Sequence, residues 1–126
     1  MMIKLNKSEQ NLKDFVTGYV NCLYWVEDSG ETKNEERLST EAFLICVLEC
    51  NRFLANAKTY VGGLIPENYF EQAGHDFYLT RNGHGSGFWD KPEIYGEKYS
   101  KILTEISKNF GEVSPYVSDD GEIEIM

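Results

Sequence analysis

The chain has 126 residues, of which 41% are hydrophobic and 13% aromatic, a composition typical of a folded domain. Its 21 acidic and 12 basic residues give a formal net charge of −9, which repels nucleic-acid phosphates, and no two basic residues are adjacent. No apolar run reaches the length of a membrane span or a signal peptide. We therefore expect a single domain over 1–126 that is neither secreted nor membrane-bound and binds no nucleic acid directly.

The first predicted element is an amphipathic helix with Ser8 as its N-cap. Apolar residues recur at steps of three and four from Leu12 to Val26, as they do on one face of a helix. Gly18 costs about 1 kcal/mol relative to alanine inside a helix, so its presence predicts a close helix–helix contact. The polar segment 28–36 that follows predicts a loop.

A second helix is predicted to begin near Ser39 or Thr40 and to run through "EAFLICVLECNRFLANA". It is apolar on more than one face, which is typical of a central helix, so we expect Leu48 to be among the most buried residues. The three cysteines lie in these two helices with no Cys-x-x-Cys pair, which predicts buried free thiols and no zinc site. They are Cys22, Cys46 and Cys50.

Next, Pro66 opens a short predicted helical turn that Gly74 ends. Beyond it, apolar Phe77 and Leu79 alternate along the chain with the period of a strand, and "NGHGSG" at 82–87 has the composition of a turn. The segment from Asp76 to Asp90 is therefore predicted to be a β-hairpin.

The C-terminal third of the chain predicts one more long helix and a second hairpin. The helix opens at Pro92, presents an apolar face as far as Phe110 and ends at Gly111. In the tail, "DDG" is the predicted turn, Pro115 indicates an edge strand, and the final isoleucines share one face. The fold class expected is α+β, with three main helices packed on one face of an antiparallel sheet made of two β-hairpins. Two separate ribbons on a helical bundle are the alternative.

The first predicted hairpin concentrates polar and aromatic side chains that make a candidate binding surface. Two histidines and an aspartate there suggest a metal site, a serine beside a histidine suggests a nucleophile, and the glycine amides beside Arg81 suggest a phosphate cradle. The spacing matches none of these motifs, so we expect no metal, no cofactor and no assignable catalytic residue. The simplest alternative is a self-satisfied hairpin in which Arg81 pairs with Asp76 or Asp90. The candidate residues are His75, Asp76, Arg81, Asn82, His84, Ser86, Trp89 and Asp90.

Two segments, "GHDFYLTRNGHGSGFWD" and "FGEVSPYVSDDGEI", resemble a widespread family of small bacteriophage and prophage proteins. Members of that family carry a similar "GHDFWLTRNGHGxGFWD" segment and end in a "YVGDDG" hairpin, and Tyr78 stands here where tryptophan is common. The resemblance covers roughly 70–125 and implies a phage accessory protein made in the host cytoplasm. The family has no assigned activity, so the resemblance implies no catalytic residues.

Together these observations predict a small acidic phage accessory protein that binds a host or phage protein. A basic, nucleic-acid-binding partner is one candidate, because acids at 27–41 and 119–124 suit DNA mimicry as well as simple solubility. The alternative function is a small enzyme or ligand-binding protein that uses the Asp76–Asp90 hairpin. Convergence of His75, Arg81 and His84 with Asp90 in one concave pocket would favour the enzyme.

Overall fold

A computed structural model describes residues 4–27, 37–59 and 63–125 of the protein. This part of the chain is mostly helical. The helices are α1 (Lys7–Glu27), α2 (Thr40–Lys58), α3 (Phe70–Arg81), α4 (Pro92–Tyr95) and α5 (Glu97–Asn109), with a 3-10 turn at Phe88–Asp90. The strands are β1 (Arg37–Leu38), β2 (Tyr116–Val117) and β3 (Glu122–Glu124).

The predicted fold class is wrong, because there is no antiparallel sheet of two hairpins among the described residues. The strands form one small mixed sheet in the order β1-β3-β2, with β1 parallel and β2 antiparallel to β3. The predicted C-terminal hairpin is present, with β2 at an edge as Pro115 indicated, and with Ile123 and Ile125 both buried. The predicted Asp76–Asp90 hairpin is absent.

Residues 70–81 form α3, a helix where the sequence predicted a turn and then a strand. Phe70 begins α3, and Gly74 lies within it rather than ending it. Every residue from Asp76 to Arg81 is buried, so this half of the helix has no solvent-facing side. A helix buried all round has no polar stripe, and its short-range pattern can imitate the alternation of a strand.

The backbones of α1 and α3 are in direct contact where two glycines meet the opposite helix. A Cβ atom on Gly18 would lie 1.8 Å from the carbonyl oxygen of Glu71, and one on Gly74 would lie 1.9 Å from that of Phe15. Both distances are far below van der Waals contact, so each position accepts glycine alone. The close helix–helix contact predicted from Gly18 is confirmed.

Aromatic rings from three helices and the 3-10 turn fill the core around this crossing. Phe53 of α2 stacks on Phe15 with ring centroids 5.3 Å apart, lies 4.4 Å from Phe77, and is parallel to Phe88 at 5.7 Å. Such pairs add stabilisation beyond the apolar area that they bury.

The three cysteines lie in the same core. The buried free thiols predicted from the sequence are confirmed, since each side chain is at most 1% exposed and none forms a disulfide.

The expectation that α2 is the central helix is wrong, and Leu48 is 62% exposed rather than buried. The stripe that α2 buries consists largely of small residues and runs from Ala42 through Cys46 and Cys50 to Phe53 and Ala57. The larger aliphatic side chains lie on the other side of the helix. When both faces of a helix are apolar, the sequence pattern does not indicate which one is buried.

Helix ends agree with the sequence in part. Helix α2 begins at Thr40, where the sequence predicted, and Ser39 caps it, because its hydroxyl accepts a hydrogen bond from the Ala42 amide. The cap of α1 is Asn6 rather than Ser8, and Asn6 and Glu9 bond each other's backbone amides at 2.9 and 2.8 Å. The predicted C-terminal helix is divided into α4 and α5 at Gly96, whose φ is 87°.

Two further expectations concern the remaining segments. The predicted loop at 28–36 lies outside the described residues. Within the described ranges, no helix has the length and apolar character needed to cross a membrane.

Gly18→Ala tests the helix crossing. Alanine normally stabilises a helix relative to glycine, but here the new methyl group meets the Glu71 carbonyl, so we expect the free energy of unfolding to fall by about 3 kcal/mol. Chemical denaturation measures this loss. Gly85→Ala is the control, since nothing lies within 4 Å of its Cβ position. Equal stability of Gly18→Ala and the parent protein would contradict the crossing.

Thiol reactivity tests the cysteine environments. Burial raises the pKa values of Cys22 and Cys46 to about 12, and the pKa of Cys50 is raised for the same reason. Because the thiolate is the reactive form, we expect negligible labelling by a disulfide reagent at pH 8 in the native state. Labelling of three thiols should follow at once in denaturant. Rapid native labelling would contradict the buried positions.

Candidate functional site

The predicted site residues divide into a buried pair and an exposed set. Asp76 is 0% and Arg81 4% exposed. They are five positions apart in α3, which places them about 140° apart around the helix axis. Arg81 pairs with Glu49, and both Asp76 and Asp90 pair with Lys91, contrary to the prediction for a self-satisfied hairpin.

Arg81 joins α3 to three other helices. Its Nε donates to the carbonyl of Gly111 at 2.8 Å, and Nη2 donates to that of Phe110 at 3.1 Å. Its Nη1 donates to the Tyr19 hydroxyl at 3.1 Å and to Glu49 Oε1 at 2.6 Å. The guanidinium thus binds carbonyls at the end of α5 and groups on α1 and α2.

The surroundings of Arg81 keep it charged. Burial disfavours the charged guanidinium, but the hydrogen bonds and negative charge of Glu49, together with Tyr19, outweigh burial and raise the pKa of Arg81. The guanidinium also lies 5.3 Å from the ring centroid of Phe77 and 5.7 Å from that of Phe110. Arg81 is consequently a structural group rather than the anion-binding residue suggested by its position beside the glycines.

Asp76 is held by a second polar network on another side of α3. Its carboxylate accepts hydrogen bonds from the Tyr95 hydroxyl at 2.7 Å and from Gln72 Nε2 at 3.2 Å. The Lys91 ammonium lies 3.0 Å from Asp76 Oδ1, which compensates the buried negative charge. Burial, together with the charge of Asp76, raises the pKa of Tyr95, so this hydroxyl remains a donor.

These two networks flank the segment Asn82–Lys91, which contains the 3-10 turn and which we name the 82–91 loop. The start of the loop is fixed by Asn82, whose Nδ2 donates to the Tyr78 carbonyl and whose Oδ1 accepts from the Val113 amide at 2.9 Å. The His84 amide donates to the carbonyl of Leu79 at 3.0 Å.

The middle of the loop is fixed at Gly87. The amide of Phe88 donates to Thr80 Oγ1 at 3.0 Å. At Gly87, with φ at 157°, a Cβ atom would lie 2.2 Å from that same oxygen. The glycine therefore lets the loop backbone approach α3 closely enough for this hydrogen bond to form.

The end of the loop is fixed by Lys91. Its ammonium donates to Ser86 Oγ at 3.2 Å, to the Gly87 carbonyl at 3.1 Å and to Asp90 Oδ1 at 3.3 Å, in addition to its ion pair with Asp76. Slight desolvation of Asp90 is outweighed by hydrogen bonds from the Gly87 amide and from Lys91, which lower the pKa of Asp90. The Lys91 ammonium thus connects Ser86, Gly87 and Asp90 of the loop to the buried carboxylate of Asp76.

The fixed loop leaves its other side chains at the surface. His84 and Asp90 are exposed, and Trp89 is 53% exposed. The neighbouring Phe88 is fully buried, stacked on Phe53 and edge-on to Tyr95 at 5.1 Å. The 3-10 turn therefore buries one aromatic residue and presents the next.

His75 does not join the exposed set. It is half-buried, its ring centroid lies 6.1 Å from that of Trp25, and its Nδ1 has no hydrogen-bond partner among the described residues. Ser86 Oγ contacts Asp90 and Lys91 rather than His84. Across the described ranges, no three His, Cys, Asp or Glu side chains are grouped as metal ligands.

Sequence reasoning missed the partners of the buried pair. Glu49 and Lys91 are the charges that balance Arg81 and Asp76, and both lie outside the predicted cluster. Glu49 carried a signal, since it is the one charged residue in the apolar run "LICVLEC". Lys91 and Tyr95 had no comparable signal, because their positions depend on how the loop folds back over α3.

No protein-family model matches the chain, and no curated protein or solved structure is significantly similar to it.

Arg81→Met tests the first network. It leaves Glu49 without its cation and two carbonyls without donors, so we expect a loss of about 3 kcal/mol in the free energy of unfolding. Arg81→Lys should restore little of it, because an ammonium lacks the planar fork of donors. Arg52→Met is the control, as this exposed residue contacts the ring of Phe110 from outside. Chemical denaturation measures both losses. An equally small loss of stability in Arg81→Met and Arg52→Met would contradict the structural role of Arg81.

Proposed function

We propose that the protein is a binding module that engages another protein through the 82–91 loop. The observation that carries this proposal is the half-exposed Trp89 on a loop fixed to the core by Asn82, Gly87 and Lys91. A fixed loop loses little conformational entropy on binding. Tryptophan is among the residues that most often dominate the energy of a protein interface.

The contacts of the polar residues favour binding over catalysis. A general acid or base must reach its substrate, whereas Asp76 and Arg81 are engaged inside the core. The nucleophile alternative would need a histidine beside Ser86, and the groups that contact its Oγ are instead Asp90 and Lys91. The enzyme alternative also assumed a hairpin at 76–90 that this segment does not form.

The partner in this proposal is a host or phage protein met in the host cytoplasm. The phage origin depends on the sequence resemblance of 70–125 described above. The net charge of −9, with exposed Asp90 and Glu93 close to Trp89 in the chain, would steer the protein toward a basic partner surface. Binding of this kind weakens as salt screens the charges.

Trp89→Ala tests the role of the loop. Because the side chain is half exposed, we expect an unchanged melting temperature and, for an interface hot spot, a loss of about tenfold or more in affinity for proteins captured from host lysate. Quantitative mass spectrometry of proteins retained on the immobilised parent and variant measures the effect.

Trp25→Ala is the matched control, since Trp25 is 71% exposed but lies on α1. A protein retained by the parent and by Trp25→Ala, but lost with Trp89→Ala, would support the proposal. Identical sets of proteins on all three baits would contradict it.

A further inference from the structure

Helices α1 and α2 together present an apolar surface to solvent, which we name the α1–α2 face. On α2, Phe43 is 44% exposed, Leu44 54% and Leu48 62%. Contiguous exposed apolar side chains of this size are uncommon on monomeric proteins and mark interaction surfaces. The exposed and partly exposed members of the face are Leu12, Val20, Phe43, Leu44, Val47 and Leu48.

The α1–α2 face contains both a groove and a ridge. A groove of about 530 Å³ runs between the helices, and among the residues that line it are Val16 and Val20 of α1 and Val47 of α2. A second groove of about 360 Å³ shares Leu12 with the first and continues it. Beside the grooves, Leu44 and Leu48 are one helical turn apart and form a ridge along the outer side of α2.

The charge of the α1–α2 face differs from that of the whole protein. The side chains that line the two grooves include one acid, Glu9, and two bases, Lys13 and Lys58. The chain as a whole has 21 acids and 12 bases. The lining charges nearly cancel, so a basic partner would find little negative charge here, and two copies of this chain would meet with little electrostatic repulsion.

We propose that the α1–α2 face is the interface of a homodimer in which the Leu44–Leu48 ridge of each copy packs into the groove of the other. A two-fold interface requires each copy to present both halves of the contact on one surface, and the adjacent ridge and groove do so. This surface is separate from the 82–91 loop, so the inference goes beyond the proposed function.

The size of the face fits a dimer of modest affinity. The α1 residues that line the grooves run from Ser8 to Asn21, about 20 Å at 1.5 Å per residue, and two adjacent helices are about 20 Å wide. The projected area is on the order of 400 Å² per copy. The accessible area of a ridged surface exceeds its projection, which brings it near the ~600 Å² per partner at the lower end of stable interfaces. We therefore expect a dissociation constant in the micromolar range.

Sedimentation velocity of the full chain from 1 to 200 µM tests the dimer. We expect the parent protein to pass from monomer to dimer within this range, and Leu48→Glu to raise the dissociation constant at least about 100-fold, because it would bury a carboxylate without a partner. Leu44→Lys should act in the same way with the opposite charge. Both positions are more than half exposed in the monomer, so circular dichroism should report unchanged folding.

Val117→Glu is the matched control, since Val117 is a 52% exposed apolar residue on β2 and should leave the dimer intact. Higher salt should strengthen the dimer, because it screens the repulsion between two copies of charge −9.

Three results would overturn the proposal: a parent protein that is monomeric at every concentration, a dimer that Leu48→Glu leaves unchanged, or equal loss with Val117→Glu. The first would leave the α1–α2 face to a different occupant, such as an amphipathic helix of another protein.

Discussion

The close crossing of α1 and α3 is the contact from which the rest of the structure follows. Because Gly18 and Gly74 carry no side chain, the two backbones meet without an intervening layer of side chains. The side chains from Asp76 to Arg81 are then enclosed by α1 on one side and by α2, α5 and the 3-10 turn on the others. One twelve-residue helix becomes the centre of the domain, although half of its residues are polar or charged.

Burial of α3 determines what its polar residues do. A charged side chain in the interior needs an opposite charge or several hydrogen bonds, and α3 brings two such side chains inside. Arg81 is balanced by Glu49, and its remaining donors cap α5. Asp76 is balanced by Lys91, and that same ammonium holds the 82–91 loop. The two buried residues of the candidate cluster, Asp76 and Arg81, therefore attach neighbouring segments to a buried helix.

The sequence predicted elements well where burial is one-sided. The apolar stripes of α1 and α5 and the C-terminal hairpin follow from periodicity and turn residues, because each of these elements has one buried and one exposed side. Periodicity fails where that asymmetry is absent. The second half of α3 is buried throughout, so local pattern did not reveal that it is a helix. Helix α2 is apolar on both faces, so local pattern did not reveal which face is buried, and Leu48 was placed on the wrong side.

The sequence indicated which segment carries the candidate residues, but not how their side chains are arranged in space. Polar residues close together in a sequence are separated by about 100° per position once they enter a helix, so Asp76 and Arg81 point apart while His84 and Trp89 lie beyond the helix end. The exposure of Trp89 follows from the geometry of the 3-10 turn that comes after α3. The 3-10 turn is short and offers one inward position, which Phe88 occupies between Phe53 and Tyr95. The next residue, Trp89, faces outward with an apolar surface that the described part of the chain does not cover, and this exposure is the physical basis of the proposed partner contact.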